Sequence, residues 1–295
     1  MMDGVLVVRK EKGYTSHDVV ARLRGILHMK KIGHTGTLDP DAEGVLPVVL
    51  GKATKLVELL TEKEKTYQAV LRLGLETDTQ DITGTVLREL PVTVSEREIR
   101  SAAQEFLGEQ QQIPPMYSAV KVNGKKLYEL AREGRTVERK PRTVCFHQIQ
   151  ILDISLPRVT ISVTCSKGTY IRTFCHDMGR KLGCGGCMEE LLRTRSGQFT
   201  LEESLTLGEI EKCAEQGSLE KHIKSIQEIL GGYPAVCCRE EADRLLMNGN
   251  ALGEAFVSPQ SRDGWVRMYT SGGNFIGIYQ WHPESLSYRP VKMFL

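Results

Sequence analysis

Three carboxylates in one short polar segment are the strongest candidates for chemistry: Asp39, Asp41 and Glu43. Alternating acids followed by a glycine, here Gly44, are typical of the first half of a calcium-binding EF-hand loop. The twelfth position of such a loop requires a bidentate glutamate, and this chain has Leu50 there. Pro40 also interrupts the loop. The spacing therefore argues against a calcium site.

Two other ligand motifs are incomplete. Gly51-Lys52 suggests a phosphate-binding loop, but Leu46 stands where its first glycine belongs and Ala53 replaces its hydroxyl residue. Cys184-x-x-Cys187 lacks the second cysteine pair of a structural zinc site. We therefore predict no metal site. The eight cysteines are irregularly spaced, which favours the reduced state. From composition alone, residues 34–44 could equally be a plain polar turn.

The elements around this segment can be predicted from periodicity and capping signals. Residues 4–8 and 45–50 have strand character, and Thr15 or Ser16 can cap a helix with apolar residues at helical spacing. The other predicted elements are strands at 67–73, 144–152 and 159–165 (the last two paired), a helix after the Ser95/Glu98 capping box, a helix capped by Thr169 and ended by Gly183, and helical structure over 202–230. This mixture, without regular strand–helix alternation, predicts an α+β fold.

The residue pattern changes at Gly231–Pro234, after which the sequence predicts mostly short strands and turns and contains glycine pairs. We therefore expect one domain over residues 1–231 and a small one over 232–295. Hydrophobic residues make up 40% of the chain and charged residues 26%, as in ordinary globular proteins. No apolar stretch approaches the roughly 20 residues of a membrane helix, and no signal peptide is evident. A cytoplasmic location is the default expectation.

Positive charge is concentrated in one stretch. The net charge of the chain is only +2, yet residues 121–142 hold eight Lys or Arg, including Lys125, Lys126 and Arg132, against three Glu. Asn123-Gly124 predicts a hairpin turn within the stretch. A solvated charged face would explain such a run. The alternative, which the low overall charge favours, is a lobe that binds nucleic-acid phosphates.

The order of several motifs resembles one family. His-Thr-Gly-Thr-Leu-Asp-Pro at 34–40, followed by Gly-Val-Leu-Pro and Gly-Lys-Ala-Thr-Lys up to residue 55, is similar to the signature of the TruB family, the bacterial tRNA pseudouridine-55 synthases. The resemblance continues, in family order, through blocks at 65–67, 77–84, 113–119, 124–128, 165–173 and 191–195. It covers residues 4–200, with weaker marks of the family's small PUA domain at 248–250 and 275–278.

The resemblance implies an overall design. Residues 1–231 would form a pseudouridine synthase catalytic domain with a mixed, largely antiparallel central sheet and a basic RNA-gripping insertion at about 115–143. Residues 232–295 would form a mostly-β, PUA-like RNA-binding domain. The implied activity is isomerisation of uridine-55 in the T loop of tRNA to pseudouridine, after the base is flipped out of the RNA. Such an isomerisation has no net redox or phosphate chemistry, so we expect no cofactor.

The resemblance also implies residue roles. Asp39 matches the essential carboxylate, Arg172 the residue that pairs with it, and Tyr67 the aromatic that stacks on the base and takes its C5 proton. An adjacent guanidinium would keep a partly buried carboxylate ionised and oriented. The implied substrate or RNA contacts are His34, which takes part in flipping, and Leu191, an apolar wall of the pocket, together with Lys10, Asp81, Tyr170, Lys125, Lys126 and Arg132.

Two other functions remain open. The chain could be a non-catalytic tRNA-binding or tRNA-folding module on the same scaffold. It could also be a guide-dependent catalytic subunit of the archaeal and eukaryotic kind, which needs protein partners and guide RNA. The expected form is a monomer that acts on the T-arm of tRNA without an obligatory protein partner, because the basic stretch suits a self-sufficient enzyme.

Overall fold

The computed structural model describes residues 2–295, and within them twenty strands and eight α-helices. The strands are β1 (Gly4–Lys10), β2 (Ile32–His34), β3 (Glu43–Leu50), β4 (Lys65–Leu73), β5 (Leu75–Thr77), β6 (Val86–Glu89), β7 (Gly108–Gln112), β8 (Lys121–Val122), β9 (Lys125–Lys126), β10 (Arg142–Ser155), β11 (Arg158–Cys165), β12 (Gly186–Ser196), β13 (Phe199–Thr200), β14 (Ile223–Ser225), β15 (Ala235–Cys238), β16 (Leu252–Gly253), β17 (Val257–Ser258), β18 (Trp265–Tyr269), β19 (Phe275–His282) and β20 (Ser287–Met293). The helices are α1 (Ser16–Leu27), α2 (Val57–Thr61), α3 (Glu96–Gln104), α4 (Leu127–Arg132), α5 (Ile171–Lys181), α6 (Leu207–Glu215), α7 (Ile226–Ile229) and α8 (Asp243–Met247). Short 3₁₀ helices lie at Gly51–Leu56, Leu219–His222, Glu240–Ala242, Glu254–Phe256 and Pro283–Ser285.

A ten-stranded sheet forms the centre of the molecule. Its main path runs β14-β1-β3-β12-β4-β11-β10-β7, with β2 paired to β3 and β13 paired to β12. Every pairing in it is antiparallel except β3 with β12. The expected mixed, largely antiparallel sheet in an α+β fold is therefore confirmed. The order also places β12 between β3 and β4, although β12 is more than a hundred residues later in the chain.

Local signals position several helices correctly. The side chain of Thr15 accepts a hydrogen bond from the Asp18 amide, and the Asp18 carboxylate accepts one from the Thr15 amide, a capping box that begins α1. Ser95 and Glu98 make the same pair of bonds at α3. The Asn123-Gly124 turn joins β8 to β9 with positive φ at both residues, as a type I′ hairpin requires. The strands expected at 144–152 and 159–165 pair as β10 and β11.

Two local expectations are wrong, and a third is incomplete. The N-cap of α5 is Tyr170, which makes no side-chain cap, because the Thr169 hydroxyl instead bonds the Ser166 carbonyl within the preceding turn. Residues 202–230 are not continuously helical, since β14 interrupts them to pair with β1. The basic stretch is more than a hairpin, because α4 follows β9 directly.

Helices cover both faces of the central sheet. On one face, α3 and α5 pack on β4, β11 and β10, where alternate residues such as Tyr67, Ala69 and Leu71 are buried. On the other face, α1 and α6 cover β1 and β3 through Leu23 and Ile210. Strands β1 and β3 are buried on both sides, which explains their nearly continuous apolar sequences. This sandwich makes a rigid base for the loops at the sheet ends.

The last sixty residues form a second sheet with strand order β16-β20-β19-β18-β15-β17 and its own core around Tyr279 and Tyr288. A further apolar cluster joins the two sheets: Ile278 and Phe294 of the second contact the cluster that includes Val5 and Ala53 of the first. Lys55 Nζ also donates to the Met293 carbonyl at 2.6 Å. The small C-terminal sheet is therefore packed against the central one. Within the part of the chain that is described, no helix has the length and apolarity needed to cross a membrane.

We predict that Phe294→Ala loosens this contact between the sheets. Phe294 is 6% exposed and stacks on Phe275 at a centroid distance of 5.7 Å. Truncation of a buried phenylalanine costs about 3 kcal/mol through lost burial and a residual cavity. Urea unfolding followed by tryptophan fluorescence should show a lower midpoint, because Trp265 lies in the same cluster. The adjacent Leu295→Ala, at a residue that is 47% exposed, is the control and should unfold like the wild type.

Candidate active site

Asp39 lies in the loop between β2 and β3, and short-range bonds fix that loop. Ser16 at the start of α1 accepts a hydrogen bond from the Leu38 amide at 3.0 Å. The buried Lys10 of β1 donates to the carbonyls of Pro40 and Ala42 at 3.0 and 2.6 Å. The residues on each side of Asp39 are therefore tied to the sheet and to the first helix. The polar segment is an ordered loop that presents one carboxylate.

Arg172 forms an ion pair with Asp39. Its Nε lies 2.9 Å from Asp39 Oδ2, and its second terminal nitrogen donates to Oδ1 at 3.3 Å, so the contact is bidentate. The Arg172 side chain is 5% exposed, whereas that of Asp39 is 44% exposed. A bidentate guanidinium fixes both the charge and the plane of a carboxylate. The two residues predicted to pair therefore do so, with Arg172 behind and Asp39 open to the cavity.

Arg172 is itself held from its other side. It donates to the carbonyls of Tyr117 and Thr79 at 2.9 and 3.3 Å, and it lies 3.4 Å from a carboxylate oxygen of Asp81. Asp81 in turn accepts a hydrogen bond from the Thr83 hydroxyl at 2.6 Å. The guanidinium thus has most of its donors occupied and cannot swing away from Asp39 without breaking several bonds.

The acidity of Asp39 reflects opposing effects. Burial at the base of the cleft raises the pKa of this carboxyl above its ordinary value, and Asp81 adds to the rise. The Arg172 charge, and to a smaller extent that of Lys10, lower the pKa again. A carboxylate that is partly stripped of water but kept ionised by fixed cations is a better nucleophile than a fully hydrated one.

Lys10 is fully buried beneath the loop and does not face the cavity. Burial lowers its pKa to about 8, against the attraction of Asp41 and Asp39. Its Nζ donates to the loop carbonyls, so the Lys10 side chain lies next to the main chain of the Asp39 loop. The expectation that Lys10 lies close to the active site agrees with this geometry, but the contact is with the main chain of the loop.

Tyr67 and Leu191 lie on neighbouring strands next to the loop. Tyr67 is 9% exposed in β4, and burial raises the pKa of its phenol, while the charge of Arg193 lowers it. Leu191 in β12 is 8% exposed and lines the cavity that Asp39 opens into. The carboxylate and the apolar wall of the predicted pocket therefore meet at the cavity, and Tyr67 lies on β4, the strand that pairs with β12.

His34, at the end of β2, is paired with a second histidine. The His34 and His17 rings are edge-to-face with centroids 5.3 Å apart. Within residues 2–295, His34 Nδ1 has no hydrogen-bond partner. Burial, and then the proximity of His17, lower the pKa of His34. His34 is therefore a half-buried ring that is held chiefly by packing, close to an exposed His17 at the cavity.

A cavity of about 760 Å³ opens over Asp39. The predicted residues that line it are Asp39, Asp81, Lys126, Arg132, Arg172 and Leu191. The lining does not include His34, Tyr67, Lys10, Tyr170 or Lys125. Tyr170 faces away, exchanging backbone bonds with the Gln112 side chain, and Lys125 lies 3.4 Å from Glu133 on the outside of the basic stretch. About half of the predicted site residues therefore line the cavity, and the others lie beneath or beside it.

The basic stretch brings an aromatic ring to the cavity mouth. Tyr128 of α4 lies between two cations: Lys126 Nζ is 5.3 Å and Arg132 Cζ is 5.5 Å from its ring centroid. All three residues line the cavity. An aromatic ring flanked by cations suits a single-stranded RNA, whose bases stack and whose phosphates need positive charge.

Sequence reasoning missed several residues of this site. His17, Tyr117 and Tyr128 line the cavity, and Arg193 approaches the loop from β12. Tyr117 and Tyr128 lie in the motif blocks at 113–119 and 124–128, which was the available signal. Arg193 likewise lies in the motif block at 191–195, whereas nothing local marks His17, which reaches the cavity only through the packing of α1. Among residues 2–295, no group of three or more His, Cys, Asp or Glu side chains is placed to hold a metal ion.

Comparison with known proteins agrees with this arrangement. Residues 24–171 match the family model of the TruB family pseudouridylate synthase N-terminal domain, and residues 172–231 match that of the tRNA pseudouridylate synthase B C-terminal domain. A protein of Lachnoclostridium phytofermentans named tRNA pseudouridine synthase B is 50% identical over the whole of both chains. One of the same name in Clostridium kluyveri is 43% identical, again over the whole of both chains.

Solved structures share the fold. A chain in the crystal structure of a Cbf5-Nop10-Gar1 complex is 30% identical, with a TM-score of 0.75 over 99% of this chain and 85% of that one. A chain in the structure of an H/ACA RNP bound to a substrate RNA containing 2'-deoxyuridine is 27% identical, with a TM-score of 0.74 and the same coverage. The loop around Asp39, its arginine partner and the similarity over the full length lead to one conclusion: the chain belongs to the TruB family of pseudouridylate synthases.

Proposed function

We propose that this protein isomerises uridine-55 in the T loop of tRNA to pseudouridine, as a self-sufficient monomer that acts in the cytoplasm. The observation that carries the proposal is the bidentate Asp39–Arg172 pair at the base of an open cavity with Leu191 in its wall. Full-length relatives named tRNA pseudouridine synthase B support tRNA as the substrate. The T-arm, the uridine position and the monomeric state are part of the proposal.

The roles we propose follow the geometry. The uridine leaves its stack and enters the cavity, where Asp39 attacks and the bond from N1 of uracil to the sugar breaks. The base turns within the pocket, against Leu191 and Tyr67. Its C5 bonds to the sugar carbon, and the bond that Asp39 formed breaks, which frees the carboxylate. C5 then carries both a hydrogen and the sugar. Loss of that proton to the ionised Tyr67 oxygen restores the C5–C6 double bond and leaves a neutral phenol. N1, which kept the electron pair of the broken bond to the sugar, takes up a proton from solvent.

The other residues act on binding and flipping. His34 takes the stacking space that the uridine leaves, with His17 supporting its ring edge-to-face. The lobe at about 115–143, with Lys125, Lys126 and Arg132, holds RNA phosphates. Asp81 holds Arg172 in the cavity wall, Lys10 supports the Asp39 loop from behind, and Tyr170 contacts RNA outside the cavity. Residues 1–231 form the catalytic domain and residues 232–295 a PUA-like domain that binds a distant part of the same RNA.

Incubation of the purified chain with unmodified tRNA tests the proposal. The C5 hydrogen of uridine is lost in the reaction, so tRNA made with 5-³H-uridine releases tritium to water in proportion to product. We expect one tritium per tRNA at completion, and primer-extension mapping should place the product at position 55. RNA binding without release would support the non-catalytic module. Activity only after addition of protein partners and guide RNA would support the guide-dependent subunit.

We predict that removal of two lobe charges weakens RNA binding and reduces its salt dependence. Lys126→Gln with Arg132→Gln should lower the affinity for RNA about tenfold at 0.1 M salt. With fewer phosphate contacts, binding releases fewer counterions from the RNA and gains less free energy. The slope of log affinity against log salt should fall by about 1.5, which filter binding over 50–300 mM KCl measures. Arg97→Gln with Arg100→Gln on α3, away from the cavity, is the matched control. An equal effect from both pairs would contradict a specific role for the lobe.

A further inference from the structure

Arg193 is a buried cation without a carboxylate partner. It is among the largest fully buried side chains, at 1% exposure. Across residues 2–295, none of the ion pairs within 4.0 Å includes it. Burial of a guanidinium without a neutralising charge reduces the stability of the fold, so its presence here needs a compensating reason.

The guanidinium is satisfied mainly by main-chain oxygens of the loop that carries Asp39. Its Nε donates to the Val45 carbonyl at 2.7 Å, and its two terminal nitrogens lie 3.2 Å and 3.5 Å from the carbonyls of Gly36 and Thr37. Gly36 and Thr37 come before Asp39 and Val45 comes after it. One rigid, planar group therefore ties the two ends of the Asp39 loop together.

The same residue faces Tyr67. In the sheet, Arg193 is the direct partner of Tyr67 on one side and of Gly44 on the other, so the side chains of Arg193 and Tyr67 share a face. A Cβ on Gly44 would lie 2.2 Å from the Arg193 carbonyl oxygen, so the two strands approach as closely as they do only because residue 44 is glycine. Arg193 thus lies between the Asp39 loop and the Tyr67 ring.

The electrostatic surroundings of Tyr67 agree with this contact. Its phenol is influenced by Arg193 of β12, by Cys165 of β11 and by Asp39, and of these only Arg193 favours the ionised form. The Arg193 charge opposes the rise in the pKa of Tyr67 that burial causes. Without Arg193, the phenolate would be stripped of water and would have no cation beside it.

We propose that Arg193 is a positioning residue for the isomerisation, which holds the Asp39 loop in register with the Tyr67 hydroxyl and stabilises the phenolate that receives the C5 proton. The inference rests on the proposed function. It adds a second arginine to the site, with a role different from that of Arg172. Arg172 orients the carboxylate directly, whereas Arg193 sets the distance between the carboxylate loop and the proton acceptor.

Replacement of Arg193 by Met, which is similar in length and uncharged, tests the proposal. Single-turnover tritium release at saturating enzyme should fall about 100-fold, while the Kd for tRNA stays within about threefold, because the residue faces no cavity. In the pH–rate profile, the rise in rate that follows ionisation of Tyr67 should occur at higher pH in Arg193→Met than in the wild type. In protein labelled with ¹³Cζ-tyrosine, the NMR signal of Tyr67 is identified as the one that Tyr67→Phe lacks. Its titration should move to higher pH in Arg193→Met.

Two further variants separate this role from simple stabilisation of the fold. Arg193→Lys keeps the charge without the planar group and should recover about tenfold of the lost rate and most of the pH shift. Arg195→Met, on the same strand but bonded to Thr66 and Gly197, should leave both unchanged. Should Arg193→Met unfold, the Arg193→Lys rate is compared in the wild-type and Tyr67→Phe backgrounds, and a smaller loss beside Phe supports the proposal.

Several outcomes would overturn the inference. The first is a single-turnover rate of Arg193→Met within threefold of the wild type. The second is a lower rate of that variant without a shift of its pH–rate profile. The third is an equal loss of rate from Arg193→Lys in the wild-type and Tyr67→Phe backgrounds. A wild-type protein that releases no tritium would instead overturn the proposed function. The two failures are therefore distinguishable in one set of measurements.

Discussion

Asp39→Asn should abolish product formation while leaving tRNA bound. The amide has the same shape and can still accept a bond from Arg172, but it is not a nucleophile and carries no negative charge to stabilise the positive charge that develops on the sugar. We expect single-turnover tritium release to fall by at least about 10⁴-fold, as for other nucleophile replacements. The Kd should stay within about tenfold, because Asp39 is a small part of the surface that would contact the tRNA.

Trace activity in such a variant needs a control. Deamidation of the new amide would regenerate the wild-type enzyme, but it is slow here because Pro40 follows and has no backbone N–H to attack the side chain. Asp41→Asn, two residues on in the same loop, is the matched variant. It removes the same charge from the loop and should keep activity within about tenfold. If Asp39→Asn and Asp41→Asn lost equal activity, the special role of Asp39 would be wrong.

Arg172→Met should have the next largest effect, and its pH dependence should identify the cause. The variant loses the bidentate contact and, among residues 2–295, the one guanidinium that contacts the carboxylate, so the rate should fall on the order of 10²–10³-fold. The active form of Asp39 is ionised. Arg172 opposes the rise in the pKa of Asp39 that burial causes. Its removal therefore raises that pKa further, and activity should be lost at a higher pH as the solution is acidified.

The measurement is the single-turnover rate between pH 5 and pH 9 for the wild type and Arg172→Met. We expect the acid limb of the variant to lie at higher pH and the plateau to be lower. A variant with a lower plateau but an unmoved acid limb would show that Arg172 orients Asp39 without affecting its charge. Circular dichroism controls for folding, because Arg172 also holds the carbonyls of Tyr117 and Thr79.

Some elements of this fold follow from a few neighbouring residues. The capping boxes at Thr15 and Ser95 begin α1 and α3 as predicted, because both partners lie within one helical turn. The Asn123-Gly124 turn needs only two residues that tolerate positive φ. Where local signals conflict with tertiary pairing, they fail. Residues 223–225 form β14 inside an apparently helical region because β1 offers them hydrogen bonds.

The site divides in the same way. The segment 34–44 indicated Asp39 only because its order of residues resembles the TruB signature, since its composition alone is that of a plain polar turn. The pairing of Asp39 with Arg172, 133 residues later, was inferred only through resemblance. No periodicity links two residues so far apart. Their contact depends on α5 packing beside the sheet end.

The sequence by itself therefore determined the α+β class, the main strands and helices, the basic stretch and the carboxylate at the centre of the site. Only the tertiary structure decided that β12 lies between β3 and β4, and with it that Arg193 lies between the Asp39 loop and Tyr67. The physical reason is that strand order results from burial of the whole sheet. That burial is a property of many distant residues together, whereas caps and turns depend on contacts within a few residues.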